Sequence, residues 1–455
     1  MTRIALVVLD TLRKDTFDDH FDWLPGRYYS DAVSTSHWTI AAHTSMFTGR
    51  YPGELGVNMK NPDLVGFDAP VLAERLQSAG FQTRALTANH YLAYSEGWDR
   101  GFDEFYTPWH LQNQNAFNTT DLIGQMMQSE NAGIKTMLQR LYVSDKSTWH
   151  SLVLLLKMTA PGVTHGVSDD GAKNVLSWVN SNASSLTEDE FLYLNLMEAH
   201  TPLNPPTEYN SADASVGLPK RGCFAENVQN ADQIQTAYDD AARYLSDIYR
   251  DIFDRLKESY DYIVTCADHG QALGERTLRN RFNIWGHSYG LYPELVQVPL
   301  VISGSGLNGR DNRPVSLIDI PATIAELSGV DDRSRGIPLI EDREPGVQSS
   351  DADFESRSRL TQYHGFDSFH KKKYLRNEVL EATIDDVDTK LEGIATGSGY
   401  AWETHDQGLL VNDSPDAPKE SLDTLSDSVT ERTGDDIDRE FSDRVLDQLE
   451  ELGYV

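Results

Sequence analysis

Acidic and imidazole side chains follow two apolar runs of this 455-residue chain, at the point where each run ends. Ile4–Leu9 leads into Asp10, and Tyr262–Thr265 is followed closely by Asp268 and His269. Carboxylate oxygens with one imidazole suit a hard or borderline divalent cation such as Ca²⁺, Mg²⁺ or Mn²⁺. The alternative is that each aspartate only caps the helix after it. Because the pattern occurs at two strand ends, the sequence favours one shared metal site.

A hydroxyl-rich segment at 36–52, SHWTIAAHTSMFTGRYP, predicts a helix that begins near Thr39 and stops at Gly49. The start of a helix attracts anions through its free N–H groups and its dipole. Thr39 is therefore placed to attack an anionic ester, and His43 lies one turn later on the same face. An ordinary helix cap with a surface histidine explains this segment equally well.

Two further histidines stand near predicted strand ends or glycine-rich turns. His200 lies in EAHTP, directly after the apolar run Phe191–Met197, and His287 lies in WGHSYG. A single histidine is more often structural than catalytic. In a chain that already offers metal ligands, both histidines become candidates for contacts with substrate oxygens and for protonation of a leaving group.

The elements that must position these groups alternate between strands and helices, which predicts an α/β fold. The predicted strands are continuous apolar runs, as in a parallel sheet covered on both faces. They are Ile4–Leu9, Thr83–Thr87, Phe191–Met197, Tyr262–Thr265 and Val298–Ile302. Helices are predicted over Ala69–Ala79 and Ala237–Lys257. We also expect a helical insertion at about 110–165, a loose acidic loop at about 412–438 and a helix over Phe441–Leu452.

Composition and charge exclude some classes of partner and location. The chain has 71 acidic and 39 basic residues, a formal net charge of −32, which argues against nucleic acid and anionic membranes as partners. No apolar run is long enough for a transmembrane segment or a signal peptide, so we expect a cytoplasmic protein. The acid excess suggests a high-salt cytoplasm, although a solvated acidic surface is the simpler interpretation.

Landmarks along most of the chain resemble the sulfatase family of the alkaline phosphatase superfamily. They are VVLDTLRKD at 7–15, TSMFTGRYPGELGV at 44–57, GWDRGFDEF at 97–105, EAHTP at 198–202, YIVTCADHG at 262–270 and GHSYGLYPELVQVPLVI at 286–302. The resemblance implies an alkaline-phosphatase-like three-layer sandwich with a mainly parallel sheet and a smaller C-terminal α+β subdomain. It divides the chain into a catalytic domain at 1–335 and a C-terminal subdomain at 336–455.

The resemblance also implies roles for individual residues. Asp10, Asp268 and His269 match the family's metal ligands, and Thr39 matches its nucleophile, which also contacts the metal. His43 stands where many members have an arginine beside the nucleophile, and we expect it to donate a hydrogen bond to a non-bridging oxygen of the substrate. His200 matches a substrate-contacting histidine, and His287 lies in a region that often supplies a cationic contact. Asn89 and His90 match a substrate-binding segment loosely.

Threonine at the nucleophile position sets this chain apart from sulfatases proper. In those enzymes the cysteine or serine at this position is oxidised to formylglycine, and threonine cannot form that aldehyde because its β-carbon carries a methyl group. The resemblance therefore implies a hydrolase or transferase that uses one divalent metal ion and Thr39 directly, without formylglycine. We expect a phospho-ester, linked to a glycan or a lipid, as substrate. The alternatives are a sulfuric ester hydrolase that uses Thr39 directly and a scaffold that binds an anionic glycan without turnover.

Overall fold

The computed structural model describes 12 stretches of the chain. They are residues 1–64, 67–106, 171–182, 185–203, 205–212, 218–219, 223–226, 228–340, 358–367, 370–371, 385–412 and 418–432. The insertion predicted at about 110–165 and the helix predicted over Phe441–Leu452 lie outside these residues.

An eight-stranded sheet forms the centre of the fold. Its strands are β1 (Arg3–Leu9), β2 (Arg27–Tyr29), β4 (Gln82–Thr87), β5 (Glu104–Tyr106), β6 (Glu190–Leu196), β8 (Tyr262–Cys266), β11 (Leu300–Gly304) and β12 (Gly309–Asp311). Their order is β12-β2-β11-β8-β1-β6-β4-β5. The pairs β8-β1, β1-β6, β6-β4 and β4-β5 are all parallel, whereas β11 runs antiparallel to both its neighbours. The prediction of a mainly parallel sheet is confirmed.

Two groups of helices cover this sheet. In the first group, α1 (Lys14–His20) and α6 (Ala172–Asn182) pack against α7 (Ala231–Leu256). In the second group, α2 (Thr39–Thr48), α4 (Leu72–Ser78) and α9 (Asp319–Ser328) pack together. Short helices α3 (Pro52–Leu55), α5 (His90–Tyr94) and α8 (Pro293–Val296) lie in the connections.

Smaller sheets complete the architecture. A three-stranded sheet contains β7 (Phe224–Ala225), β9 (Ala272–Leu278) and β10 (Phe282–Gly286), and β3 (Ala32–Val33) pairs with β13 (Val315–Ser316). Towards the C-terminus, β14 (Arg359–Tyr363), β15 (Leu391–Thr396), β16 (Gly399–Thr404) and β17 (Gly408–Asn412) form an antiparallel sheet, followed by α10 (Pro418–Asp427). This second sheet agrees with the predicted C-terminal α+β subdomain.

The predicted elements agree with the structure where hydrophobic periodicity is strong. All five predicted strands are present, and α7 buries one apolar face, as the spacing of Tyr238, Leu245 and Ile252 indicates. The expectation of a loose acidic loop at 412–438 is wrong for residues 418–427, which form α10. Leu422 of this helix is buried against the C-terminal sheet, so one well-placed apolar residue outweighs the acidic composition.

Among the described residues, no helix combines the length and the apolar character that crossing a membrane requires.

Candidate metal and active site

The three predicted metal ligands come together at the carboxyl edge of the central sheet. Asp10 directly follows β1, and Asp268 and His269 lie two and three residues after β8. Because β1 and β8 are parallel neighbours, their ends open at the same edge. One ligand atom from each residue lies within 4.8 Å of the other two, and all three side chains are fully buried.

The hydrogen bonds of His269 leave its Nε2 nitrogen available to bind a cation. Its Nδ1 lies 2.9 Å from the carbonyl oxygen of Gly270, which can only accept a hydrogen bond, so Nδ1 carries the proton. Nε2 therefore keeps its lone pair in the neutral ring, and it lies 3.1 Å from Thr39 Oγ1. An imidazole held by a backbone carbonyl in this way is the usual form of a metal-binding histidine.

Thr11 joins the two carboxylates. Its hydroxyl donates to Asp10 Oδ1 over 2.7 Å, and its backbone N–H donates to Asp268 Oδ1 over 3.1 Å. Its carbonyl oxygen accepts a hydrogen bond from the Tyr238 hydroxyl over 2.8 Å. Thr11 has a φ of 64°, in the left-handed region that a β-branched residue seldom adopts. The surrounding contacts hold this unfavourable conformation at the centre of the site.

The chemistry of this pocket fits a divalent cation. Asp268 Oδ2 is buried and forms no hydrogen bond of ordinary geometry with the described residues. Burial and the nearby Asp10 carboxylate raise the pKa of Asp268 well above its usual range. Two carboxylates in one buried site cannot both ionise without a compensating positive charge. These residues would therefore supply oxygen and nitrogen ligands to a cation, and the cation would compensate the charge of the two carboxylates.

The candidate nucleophile, Thr39, is the first residue of α2 and is 2% exposed. All ten residues of α2 are buried, and the helix ends at Gly49, which has a φ of 67°. The preceding segment is tied to the C-terminal sheet, because Ser36 Oγ donates to the carbonyl oxygen of Gln362 over 2.8 Å. Both ends of the nucleophile segment are thus fixed, and the Thr39 hydroxyl faces the ligand cluster.

His43 lies beneath the nucleophile, and both of its ring nitrogens have protein partners. Nδ1 donates to the Thr39 carbonyl oxygen over 2.7 Å, and Nε2 lies 2.6 Å from the Tyr193 hydroxyl. The ring is fully buried, and burial lowers the pKa of His43 to about 4. This geometry suits a residue that supports Thr39 better than one that contacts substrate oxygens.

His200 and His287 lie on the other side of the cluster. Their ring centroids are 5.1 Å apart, and the His287 ring is 4.5 Å from the His269 ring. His200 Nδ1 donates to the Thr201 carbonyl oxygen over 2.6 Å, and His287 Nδ1 lies 2.9 Å from Gln271 Oε1. Burial lowers the pKa of both rings. These contacts use Nδ1 in each ring, which leaves Nε2 for a substrate.

The structure describes the side chain of Asn89 but not that of His90, the two residues that match a substrate-binding segment loosely. The Asn89 amide donates to Asp10 Oδ2 over 3.0 Å, and its side-chain oxygen caps α5 by accepting from the Tyr91 N–H. Asn89 therefore orients Asp10, a predicted metal ligand. His90 begins α5, and its side chain lies outside what the structure describes.

Sequence reasoning missed several residues that shape the site. Asn195 donates to Asp10 Oδ2 over 3.2 Å, and Gln271 supports His287. Thr11 bridges the carboxylates, and Tyr193 supports His43. Asn195 and Tyr193 lie inside an apolar strand, where period-2 spacing puts both on one face. One signal could have identified Asn195: it is a polar residue within the apolar run Phe191–Met197.

Arginine near the site is already paired. Arg13 donates to both oxygens of Asp15, forms an ion pair with Glu275, and donates to the Gln271 carbonyl oxygen over 3.0 Å. Arg13 thus stabilises the loop that carries Gln271. Among the residues that the structure describes around the cluster, the histidines and the start of α2 are the groups left to contact an anion.

Comparison with known proteins agrees with this fold. A family model described as "Sulfatase" matches residues 21–330, which is more than half of the chain. The low-salt glycan biosynthesis sulfotransferase Agl7 of Haloferax volcanii is 23% identical over 185 residues, covering 36% of this chain and 45% of that protein. A choline-sulfatase of Rhizobium meliloti is 31% identical over 112 residues, covering 24% of this chain and 20% of its own length.

The fold extends beyond those sequence matches. The phosphonate monoester hydrolase SpPMH from Silicibacter pomeroyi has a TM-score of 0.61 at 15% identity, over 95% of this chain and 96% of that one. The chain spans less than half the length of the two curated relatives it matches. The family match over residues 21–330 nevertheless confirms the predicted relationship: the chain belongs to the sulfatase family.

Proposed function

We propose that this protein is a metal-dependent hydrolase or transferase of anionic esters that acts through a covalent ester on Thr39, with phosphorus esters preferred. The observation that carries the proposal is the 3.1 Å contact between Thr39 Oγ1 and His269 Nε2, at the edge of the Asp10–Asp268–His269 cluster. A hydroxyl at a helix start and beside a cation site is placed for attack on an anionic group.

Asp10, Asp268, His269 and Thr39 would hold one divalent cation. The bound ion would lower the pKa of the Thr39 hydroxyl and act as a Lewis acid on the substrate. Thr39 Oγ then forms a bond to phosphorus or sulfur in line with the leaving oxygen, as the bond to that oxygen breaks. The start of α2 offers N–H groups to the non-bridging oxygens.

His200 and His287 are the proposed proton donors to the leaving oxygen. Both rings are closely packed beside the cluster, 5.1 Å apart. Burial keeps them neutral in the free protein, and an anionic substrate bound beside them favours their protonated forms. Release of the intermediate then requires attack on phosphorus or sulfur by water or by an acceptor hydroxyl, which breaks the bond to Thr39 Oγ as the attacking hydroxyl gives up its proton and Thr39 regains one. The same residues serve hydrolysis and transfer.

Transfer of a sulfuryl group is the second candidate. The specific observation in its favour is the similarity to a glycan biosynthesis sulfotransferase and to a choline-sulfatase. Direct attack by Thr39 on sulfur needs the same metal and the same in-line geometry as attack on phosphorus. The candidates therefore differ in the transferred group and share the nucleophile.

Parallel assays on an aryl sulfate, a phosphate monoester, a phosphodiester and a phosphonate monoester separate the two candidates. We expect turnover of at least one phosphorus ester, and intact-mass analysis should detect Thr39 carrying one phosphoryl group during turnover. Turnover of sulfate alone would overturn the preference for phosphorus, and glycan binding without any turnover would favour the non-catalytic scaffold.

Thr39→Ala should abolish activity, since no other hydroxyl in α2 faces the cluster so closely. The matched control is Thr44→Ala on the same helix, where a buried hydroxyl bonds only to the Ile40 carbonyl oxygen over 2.9 Å. Retained activity in Thr39→Ala would remove the assignment of the nucleophile.

A further inference from the structure

We propose that Tyr193 is a positioning residue that acts through His43 to hold the Thr39 hydroxyl in register with Asp10. This inference rests on the proposed role of Thr39 as the nucleophile. It gives His43 a supporting function, in place of the contact with substrate oxygens that its sequence position suggests.

The direction of each hydrogen bond follows from the chemistry of the partners. His43 Nδ1 lies 2.7 Å from the Thr39 carbonyl oxygen, which only accepts, so Nδ1 carries the ring proton. In the neutral ring Nε2 is then an acceptor, and the Tyr193 hydroxyl donates to it over 2.6 Å. The result is an ordered chain of two hydrogen bonds from β6 to the first turn of α2.

Two side chains of strand β6, two residues apart, contact the segments that carry the proposed nucleophile and a proposed metal ligand. Tyr193 reaches α2 through His43, and Asn195 donates to Asp10 Oδ2 over 3.2 Å. Residues two apart on a strand face the same side, and their spacing along a paired central strand is rigid. β6 therefore sets the separation between Thr39 and Asp10.

Aromatic packing fixes the two rings that form this link. The His43 and Tyr193 rings meet edge to face, with centroids 5.9 Å apart and planes at 87°. Phe47, one turn after His43, packs edge to face on both rings. Because His43, Tyr193 and Phe47 are almost wholly buried, neither polar atom has water as a substitute partner.

Tyr193→Phe is the decisive variant, because it removes one hydroxyl and leaves the ring. A displacement near 1 Å at a reacting group costs up to about 100-fold in rate. We expect kcat to fall about tenfold or more while KM changes less than about twofold. Tyr249→Phe is the matched control, since it removes an equally buried hydroxyl that bonds to Thr265 Oγ1 over 2.5 Å.

The same loss of kcat in Tyr249→Phe, or an unchanged kcat in Tyr193→Phe, would overturn the proposal. Two substitutions at His43 test the contacts of its two ring nitrogens separately. His43→Asn keeps a donor close to the Nδ1 position, and His43→Gln keeps an acceptor close to Nε2. We expect His43→Asn to retain more activity than His43→Gln, because the direct contact with the Thr39 carbonyl comes from Nδ1; the reverse order would contradict the argument.

A spectroscopic measurement tests the link without any substrate. In protein labelled with ¹⁵N-histidine, the signals lost in His43→Asn identify His43. We expect a neutral ring protonated at Nδ1, and a shift of the Nε2 resonance in Tyr193→Phe. A ring protonated at Nε2, or an Nε2 resonance that Tyr193→Phe leaves unchanged, would refute the proposal. If Thr39→Ala stays active, the proposed nucleophile fails, and this measurement still decides whether the link exists.

Discussion

Two buried aspartates at different places in the fold differ in the groups that surround their carboxylates. Asp319, at the start of α9, pairs with Arg359 of β14 over 3.1 Å, and both side chains are fully buried. Asp268 is equally buried, and its charged neighbour is a second carboxylate, Asp10. One carboxylate thus has a cation from the protein, whereas the other lies in a cluster that lacks one among the described residues.

The hydrogen bonds around the two aspartates reinforce this difference. Asp319 accepts from the backbone N–H groups of Ser316 and Ile337, over 2.9 Å each, in addition to Arg359. Asp268 also accepts two backbone N–H bonds, from Thr11 and His269, but both go to Oδ1, and its Oδ2 has no hydrogen bond among the described residues. A complete set of partners marks a structural carboxylate that joins the C-terminal sheet to α9. An incomplete set at the edge of a parallel sheet marks a candidate functional site.

Asp268→Asn should produce the largest effect, because it removes a ligand charge from the cluster. We expect metal affinity to fall by at least about 100-fold, together with activity. Calorimetric titration of the metal-free protein with Mn²⁺ measures the affinity. Asp15→Asn is the control, since Asp15 is a carboxylate that pairs with Arg13 and is not a ligand. Equal metal affinity in wild type and Asp268→Asn would break the comparison.

Asp319→Asn should act on stability instead. Breaking one side of a buried ion pair leaves an uncompensated charge and costs about 3–5 kcal/mol. Urea unfolding should show this loss in the free energy of unfolding, while Mn²⁺ affinity of the folded protein stays within about twofold of wild type. If metal affinity falls as far as in Asp268→Asn, the distinction between a structural and a functional carboxylate is wrong.

Substitutions at Thr11 sharpen the comparison by testing how the two carboxylates are held together. Thr11→Gly suits the φ of 64° but removes the hydroxyl that donates to Asp10. We expect it to weaken metal affinity by about 10-fold, the scale of losing a group that orients a ligand. Thr11→Ser keeps the hydroxyl and should keep the affinity. Equal affinities in the two variants would mean that the hydroxyl does not orient Asp10.

Salt should modulate the site through the surface charge. A net charge of −32 repels an anionic substrate, and screening extends over about 10 Å at 0.1 M salt but only about 3 Å at 1 M. We expect kcat/KM to rise several-fold between about 0.1 and 1 M KCl, with Thr39→Ala inactive throughout. High activity at low salt that falls as KCl is added would contradict the high-salt interpretation of the composition.

The smallest expected effect is a pH dependence in the C-terminal region. The His364 ring, whose Nε2 lies 3.7 Å from Glu431 Oε1, and the Lys390 ammonium lower the pKa of Glu431 to about 2. A carboxyl with a lowered pKa in the folded state stabilises the protein above its unfolded value, near 4.3, and loses that contribution as pH falls through the folded value. The difference in free energy of unfolding between wild type and Glu431→Gln should be constant above about pH 5, shrink as pH falls and vanish near about pH 1. A difference that does not shrink as pH falls from 5 to 2 would rule out this ionic contribution.

Several features could be predicted from local sequence because they depend on local chemistry. Continuous apolar runs predict β1, β4, β6, β8 and β11, since buried parallel strands need apolar side chains on both faces. Acidic composition gave a wrong prediction at 418–427, because α10 buries Leu422 against the C-terminal sheet, with Leu425 partly buried beside it. Composition indicates only the average exposure of a segment, whereas its structure depends on which of its side chains are buried.

The sequence by itself determined the family through the motifs that resemble it, and the α/β fold class through the alternation of apolar runs with helical segments. It also identified Asp10, Asp268, His269 and Thr39 as candidates, because they stand at the end of an apolar run or at a helix start. Only the tertiary structure decided how those candidates are used. It turned His43 towards Tyr193, joined Asp10 to Asp268 through Thr11, and gave Asp319 an arginine that Asp268 lacks. Those partners lie 150, 257 and 40 residues apart in the chain, and such pairings come from strand register and helix packing, which the local pattern does not contain.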